Sequence, residues 1–431
     1  MADPYPLRPV QAEEFDAYYA VDAHAFHNGP LTPRKREQRL RQFEADRSLG
    51  AFDGDEPVGI AGIYSFQMAV PGAVVPAAGV TWVAVLPTHR RQGIMTSLMH
   101  RQLRDVRDRG ETFAVLWSSE SALYGRFGYG PASWQASFQL GRGDGAPARR
   151  GPAREPGLRV RIAGPEAARA ELGKVYETVL PTRPGMFARD ALWWNRVLSS
   201  NDDGLSGGDP VRCVIAEDSS GPRGYAIYTA RNQWDEAGLL PDSKLNVSEL
   251  VADSPAATAA LWADLLTRDL TTEFVALLRP ADDPLPHLLA DPRRARRTVG
   301  DALWVRLTDL PRALAQRRYA SPADVTIEVT DALFPEHRGR WRLRTQAQAA
   351  RVSGGPGLAA TCEPAGDSTD ASGAGADLTL DVSALGAAYL GGTALANLAE
   401  AGQVTEHRPG ALLTLSTAMS WHPSPWCPVI F

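Results

Sequence analysis

The chain has 431 residues, 44% of them hydrophobic, a formal net charge of -5 and three cysteines. That length predicts about two to four ordinary domains; the charge excludes a global basic field for nucleic acid, and no apolar run approaches the ~18 residues that suggest a membrane span. Cys213, Cys362 and Cys427 lie far apart and are odd in number, which argues against a disulfide framework or a CxxC zinc site and suits a reducing cytoplasm. The opening "MADPYPLRPVQAEEF" is mixed and polar and reads as no leader. Plentiful Ala, Gly, Pro and Arg with little Lys suggest a GC-rich bacterial source.

Along residues 1–145, "LGAFD" and "PVGIAGIYSFQMAV" read as strands around the turn "GDE". "AAGVTWVAVLP" is a third strand and "TFAVLWSS" a fourth, each apolar enough to be covered on both faces. Between them, Ile94, Leu98, Leu103 and Val106 recur at helical spacing, and Gly110 stops the helix. "GRGDGAPARRGPAREPG" (Gly141 to Gly157) reads as a linker.

Residues 158–308 repeat the α/β order as a degenerate second copy. "LRVRI" is a strand, "DALWWNRVL" a helix, and "VRCVIAED" and "RGYAIYTA" form a hairpin over "SSGP". "SKLNVSELVA", "PAATAALWADLLTRDL" and "TEFVALL" follow as strand, helix and strand. Residues 310–431 form a third segment, with strands expected at "DVTIEVTD", "GRWRLRT" and "ADLTLDVSAL". Helical pieces are expected at "ALGAAYLGG" and "TALANLAEAG", and a flexible loop at "AGDSTDASGAGAD".

The segment "LPTHRRQGIM" carries the chemistry. A helix N-terminus offers unpaired backbone N–H groups and the positive end of a dipole, so it binds anions. A glycine there admits close approach, and Arg90 and Arg91 add charge-assisted contacts, so pyrophosphate is a natural guest. On these ten residues alone, a solvated arginine pair beside a turn glycine fits equally well. The matching turn of the second copy, "VADSPAATAA", lacks the arginines and the glycine and is expected to hold no phosphate. Neither a GK[ST] phosphate loop nor a three-glycine dinucleotide fingerprint is present there.

Arg90, Gln92 and Gly93 match the R/Q-x-x-G-x-G/A pattern of the GNAT acetyltransferases, with Met95 in place of the last small residue. Together "VAVLPTHRRQG", "SSESALYGRFGYGPAS", "DDPLPHLLAD" and "AAYLGG" resemble the Eis (enhanced intracellular survival) acetyltransferases across the whole chain and in the right order. The resemblance implies an α/β (α+β) chain of two tandem GNAT-type mixed-sheet units and a sterol-carrier-protein-like domain. It also implies a cytoplasmic homo-oligomer, a hexamer, that uses acetyl-CoA and no metal to acetylate amines of small molecules or peptides, aminoglycosides among them.

Residue by residue, the resemblance implies that the backbone of Val83, Ala84 and Val85 pairs with the pantetheine arm. Arg90, Arg91, Gln92, Gly93, Ile94, Met95 and Thr96 would hold the pyrophosphate, with Ser119 and Glu120 near the thiol. It puts the general acid on Tyr124 and not Tyr129, and the base on the terminal carboxylate of Phe431. On spacing alone Tyr124 reads more simply as a packed aromatic beside a glycine turn and the apolar tail "PWCPVIF" as a packed strand end, while His24 and His27, at helical spacing, are candidate bases for which a surface or core role is the commoner reading.

Asp22, His24, Phe26, Trp82, Trp193 and Ile430 are the expected acceptor wall, with core packing as the alternative for each. Apolar Ile430 and the single acid Asp22 predict an acceptor less cationic than an aminoglycoside. The histidines do not cluster with Cys or Asp, so no metal is expected. Two other classes stay open: a lipid or sterol carrier built on the third segment, and a silent CoA-binding regulator.

Overall fold

The computed structural model describes residues 5–149, 151–153, 155–199, 209–346, 357–366 and 375–431. Most of the expected loop "AGDSTDASGAGAD" lies outside the described residues. The first stretch runs β1 (Leu7–Pro9), α1 (Phe15–Phe26), α2 (Pro33–Gln42), β2 (Leu49–Asp53), β3 (Glu56–Val70), β4 (Ala73–Val85), α3 (Ile94–Asp108), β5 (Phe113–Trp117), β6 (Gly130–Pro131) and β7 (Trp134–Gly141). α2 starts where the Thr32 hydroxyl accepts from the Lys35 N–H and Pro33 sits in the first turn. α3 buries Ile94, Leu98, Leu103 and Val106, the expected stripe, together with Met99 and Gln102.

The second stretch runs β8 (Arg159–Ala163), α4 (Pro165–Val179), α5 (Ala191–Leu198), β9 (Val211–Asp218), β10 (Gly221–Arg231), β11 (Ser243–Ala252), α6 (Pro255–Leu266), β12 (Thr271–Pro280), α7 (Leu285–Leu288), β13 (Thr298–Asp301) and β14 (Leu303–Leu307). The third runs α8 (Leu310–Gln316), β15 (Asp324–Thr330), β16 (Gly339–Thr345), β17 (Ala360–Pro364), β18 (Leu378–Asp381), α9 (Val382–Ala388), α10 (Leu395–Glu400), β19 (Val404–Glu406) and α11 (Ala411–Met419).

Among the described residues three sheets result, ordered β1-β2-β3-β4-β5-β14-β6, β13-β7-β12-β11-β10-β9-β8 and β17-β16-β15-β18-β19. The expected partition at 145 and 308 does not follow these sheets. β7 joins the second sheet between β12 and β13, and β14 joins the first between β5 and β6. Two compact units follow: residues 1–133 with 302–422 and Phe431, and residues 134–301 with 423–430. Apolar patterning marks a strand but does not name its distant partner. The expected strand "ADLTLDVSAL" is also corrected. Asp381 accepts from the Ser383 N–H and caps α9, so the strand ends there and helix follows.

In the first unit, α9 lies close against β6 and β14. A Cβ built on Gly386 would stand 2.3 Å from the Val305 carbonyl oxygen, and one on Gly130 2.0 Å from that of Ser383. Glycine is required at both positions by this approach. The third-segment helices thereby back the sheet that carries β4 and β5. Their interior is filled by Leu385, Tyr389, Leu390, Leu395 and Leu415, all fully buried.

Candidate active site

The site begins where two parallel strands part. β4 pairs with β5 only at Ala78–Ala114 and Gly79–Val115. Beyond Gly79 the register of β4 against β3 slips, with Ile60 opposite Ala84 and Gly62 opposite Thr81. Trp82 lies in this bulge with φ 56, a strained value for a bulky residue. Val83, Ala84 and Val85 therefore pair with β3 on one edge and have no β5 partner on the other. Ala84 is buried, and Val83 and Val85 are partly buried against the core on the other face of the strand. An extended polar ligand arm fits such an edge.

The same strand then turns into α3. Arg91 and Gly93 have φ 64 and 84, and Gly93 is an N-cap with no side-chain hydrogen bond. Nothing lies within 4 Å of where a Gly93 Cβ would be. The first-turn N–H groups are thus uncapped below open space. Arg90, Arg91, Gln92 and Thr96 are exposed, Met95 is half-buried, and Ile94 turns its side chain into the core, leaving its N–H to the turn. No ion pair engages Arg90 or Arg91 among the described residues. Gln92 accepts from the Tyr5 hydroxyl at 2.7 Å. This cradle fits a pyrophosphate.

Past β5 the chain carries exposed Ser119 and Glu120 and two short turns, Ser121–Leu123 and Gly125–Phe127. Tyr124 lies between the turns, 6% exposed, with its ring edge-on to Tyr129 at 5.9 Å. Burial, then the Glu120 charge, pushes the Tyr124 phenol up to about 12, so it stays protonated at neutral pH. Tyr129 is fully buried and its hydroxyl has no hydrogen-bond partner among the described residues; burial raises its pKa still further.

Beneath this turn lies a residue the sequence reading does not single out. Arg306 of β14 is fully buried, and its Nη2 donates to both Asp331 oxygens at 2.7 and 2.8 Å. Its guanidinium stands 2.9 Å from the Cβ position of Gly128, whose φ is 81, so only glycine closes the turn over it. Burial acts to raise the Asp331 carboxyl, yet His337 and Arg306 hold it down at about 2. An isolated arginine in "ALWVRLTD" carries no local pattern that would reveal this.

An aromatic wall adjoins the bulge. Trp82 meets Tyr18 and Tyr19 of α1 edge-on and donates from Nε1 to the Tyr64 hydroxyl at 3.2 Å. Tyr64 neighbours Phe66 at 6.2 Å, and Phe66 meets the ring of Phe431 edge-on at 4.8 Å. Asp22 is buried and accepts from Asn28. Burial raises its carboxyl above the usual range, against the Asn28 hydrogen bond and the Arg39 charge. His24 is exposed and Phe26 is 45% exposed, both on α1 away from its buried face.

Trp193 and Ile430 belong to the other unit. There Trp193 is buried edge-on against Phe187, and Arg196 covers its ring and donates to the Ile430 carbonyl at 2.9 Å. The tail is fixed in that unit by Trp426, whose N–H donates to Pro184, and by Ser424, which bonds Asp282 and Arg183. No group of three or more His, Cys, Asp or Glu side chains placed to hold a metal ion occurs among the described residues.

Residues 6–132 and 185–307 each match a family model described as an acetyltransferase (GNAT) domain, and residues 310–428 match a sterol carrier protein domain. The chain is 40% identical over 424 residues to an N-acetyltransferase of Streptomyces avermitilis, covering 98% of each. It is 34% identical over 382 residues to the N-acetyltransferase Eis of Mycobacterium bovis, covering 86% of this chain and 85% of that one. Eis1 of Mycobacterium abscessus superposes with a TM-score of 0.77 at 32% identity, over 99% of this chain and 100% of that one.

Proposed function

The chain belongs to the Eis-like GNAT N-acetyltransferases, and on that footing we propose that it transfers acetyl from acetyl-CoA to an amine of a small molecule or peptide at the first unit. The observation that carries this reading is the uncapped α3 start, with Gly93 at φ 84, directly after a strand freed from its neighbour. Arg90, Arg91, Gln92 and the N–H groups from Gly93 to Thr96 hold the pyrophosphate. Val83 and Val85 hold the pantetheine arm, with Ser119 and Glu120 at its thiol end. Acetyl-CoA, when bound, supplies the thioester.

The lone pair of the neutral amine forms the N–C bond as the C–S bond breaks, and the Phe431 α-carboxylate takes the one proton that the nitrogen then sheds. The Tyr124 hydroxyl donates its proton to the departing sulfur. Burial keeps this phenol protonated, and the same dry surroundings raise the proton affinity of the sulfur. The family resemblance supports a cytoplasmic homohexamer, with aminoglycosides among the amines to be tried. The filled interior of the third segment supports a scaffold role.

The test compares thiol release from acetyl-CoA over a panel of amines for the native chain, for a chain with one glycine appended after Phe431, and for a chain with an amidated terminus. An added residue moves the carboxylate by up to ~3.3–3.6 Å, whereas proton abstraction needs ~2.6–3.2 Å. Both changed forms should lose most turnover and keep acetyl-CoA affinity. Near-native turnover in both would place the base elsewhere.

A further inference from the structure

The loop that carries Tyr124 leaves the first sheet after Trp117 of β5 and returns to it at Gly130 of β6. One strand, β14, stands at both of its feet. Leu303 to Leu307 pair with Trp117 to Phe113, and Trp304 and Val305 pair with Pro131 and Gly130. Arg306, fully buried, comes from the same strand. A Cβ built on Gly128 would stand 2.9 Å from its Cζ, Nε and Nη1 alike, so the glycine backbone rests against the guanidinium. The turn itself is closed by backbone bonds. The Tyr124 carbonyl accepts from the Phe127 and Tyr129 N–H groups at 3.0 and 3.4 Å, and that of Gly125 from Gly128 at 2.9 Å. Tyr124 thus heads a turn whose far end is seated on Arg306.

The seat is fixed in its own right. Besides Arg306, Asp331 accepts from the Leu333 and Phe334 N–H groups at 2.9 and 3.1 Å and pairs with His337 Nδ1 at 2.9 Å. The Leu310 N–H donates to His337 Nε2 at 3.2 Å, which leaves the ring proton on Nδ1, facing Asp331. The guanidinium also lies over the Phe334 ring, 5.0 Å from its centroid. A planar fork on a carboxylate that cannot move is a rigid plate. Its Nε and Nη1 have no hydrogen-bond partner among the described residues, so it bears on the turn by contact. A buried ion pair adds little stability over apolar packing and is better understood as fixing one arrangement.

We infer that Arg306 is a positioning residue for the acetyl transfer: anchored on Asp331, it sets the place of the turn from Tyr124 to Tyr129 and so aims the Tyr124 hydroxyl at the departing sulfur. This rests on the acetyltransferase reading, with Tyr124 as acid. It gives the third segment, which supplies Asp331 and His337, a part in the reaction.

The experiment is a double-mutant cycle on Arg306 and Tyr124, read by thiol release from acetyl-CoA with kanamycin, spermidine and hexylamine as probe amines. Arg306→Lys keeps a charge beside Asp331 but replaces the plate with a flexible point charge. A misplacement of about 1 Å can cost about 100-fold, so this variant should lower kcat about 10- to 100-fold while Tyr124 is present. In the Tyr124→Phe background it should change kcat less than about twofold, and acetyl-CoA affinity by calorimetry should stay within about twofold throughout. Gly128→Ala disturbs the same contact from the turn side and should show the same dependence, which keeps the test open if Arg306→Lys does not fold. Arg317→Lys is the control. Arg317 is as deeply buried in the same unit, bonded to the carbonyls of Ala388, Tyr389 and Met419, and its replacement should lower Tm while kcat stays within about twofold. Equal losses from Arg306→Lys in both backgrounds, native kcat in the folded variant, or a matching loss in Arg317→Lys overturns the proposal and leaves the acetyltransferase reading standing. Tyr124→Phe with native kcat removes the acid assignment and this proposal with it. A native chain that releases no thiol with any of the three amines fails as an acetyltransferase.

Discussion

At the start of α3 the chain adopts two positive φ angles, at Arg91 and Gly93, and leaves its first N–H groups uncapped. At the start of α6, the same place in the second copy, the Ser254 hydroxyl accepts from the Ala257 N–H at 3.2 Å and Pro255 removes another donor. The strands before the two turns differ as well. β4 meets its parallel neighbour over two residue pairs, β11 over five. The first pair past the bulge is Ile60–Ala84 in one unit and Ile227–Glu249 in the other.

Where the first unit has Ala84 beside the Trp82 wall, the second has the buried Glu249 carboxylate, which accepts from Arg189 Nη1 and Nη2 at 2.9 and 2.6 Å and from the Tyr225 hydroxyl, with Arg189 stacked on Tyr176 and Trp194. One copy keeps its helix end and strand edge unsatisfied, which is what a ligand needs. The other caps its helix start from within, pairs its strand over a longer stretch, and past the bulge has the Leu250 carbonyl accept from Arg279, which suits a scaffold.

Four changes would break or sharpen that contrast. Tyr124→Phe removes the proposed acid and should lower kcat by ~10²–10⁴-fold, a general acid's contribution, with acetyl-CoA affinity nearly intact and Tyr129→Phe milder; equal losses in steady-state assays of both variants would reject the assignment. Because the Tyr124 phenol is held at about 12, the native rate should show no loss from its ionisation as pH rises to 10, since the donor stays protonated below its pKa; a falling limb below pH 10 that disappears in Tyr124→Phe would contradict this.

Gly93→Glu sets a strained φ and a like charge at the anion cradle and should weaken acetyl-CoA binding by about 100-fold or more, the scale of two effects of ~1–2 kcal/mol each, as read by calorimetry. Arg189→Met leaves Glu249 buried and unpaired and should destabilise the second unit by ~3–5 kcal/mol, seen in denaturant unfolding, with acetyl-CoA affinity unchanged in the folded fraction. Ser254→Ala should be the smallest, costing ~1 kcal/mol of stability and leaving acetyl-CoA binding alone.

Much of this architecture was legible because it is local. Ile94, Leu98, Leu103 and Val106 announce α3, and "RRQG" against "DSPA" already separates the two turns. The exchange of β7 and β14 was not legible, because pairing between strands distant in sequence leaves no local mark. Asp381 could have ended its strand on paper, being an N-cap before "VSALGAA". Likewise Thr32-Pro33 announces α2. The burial of Arg306 and the Arg189–Glu249 pair arises only in three dimensions, where single charges from unremarkable segments meet.

The central claim, that one copy binds and the other supports, is tested most directly by titrating the native chain with acetyl-CoA in a calorimeter. The account predicts one site per chain, lost in Gly93→Glu and untouched in Ser254→Ala. Two equivalent sites per chain, or one that survives Gly93→Glu and vanishes with Ser254→Ala, would contradict it.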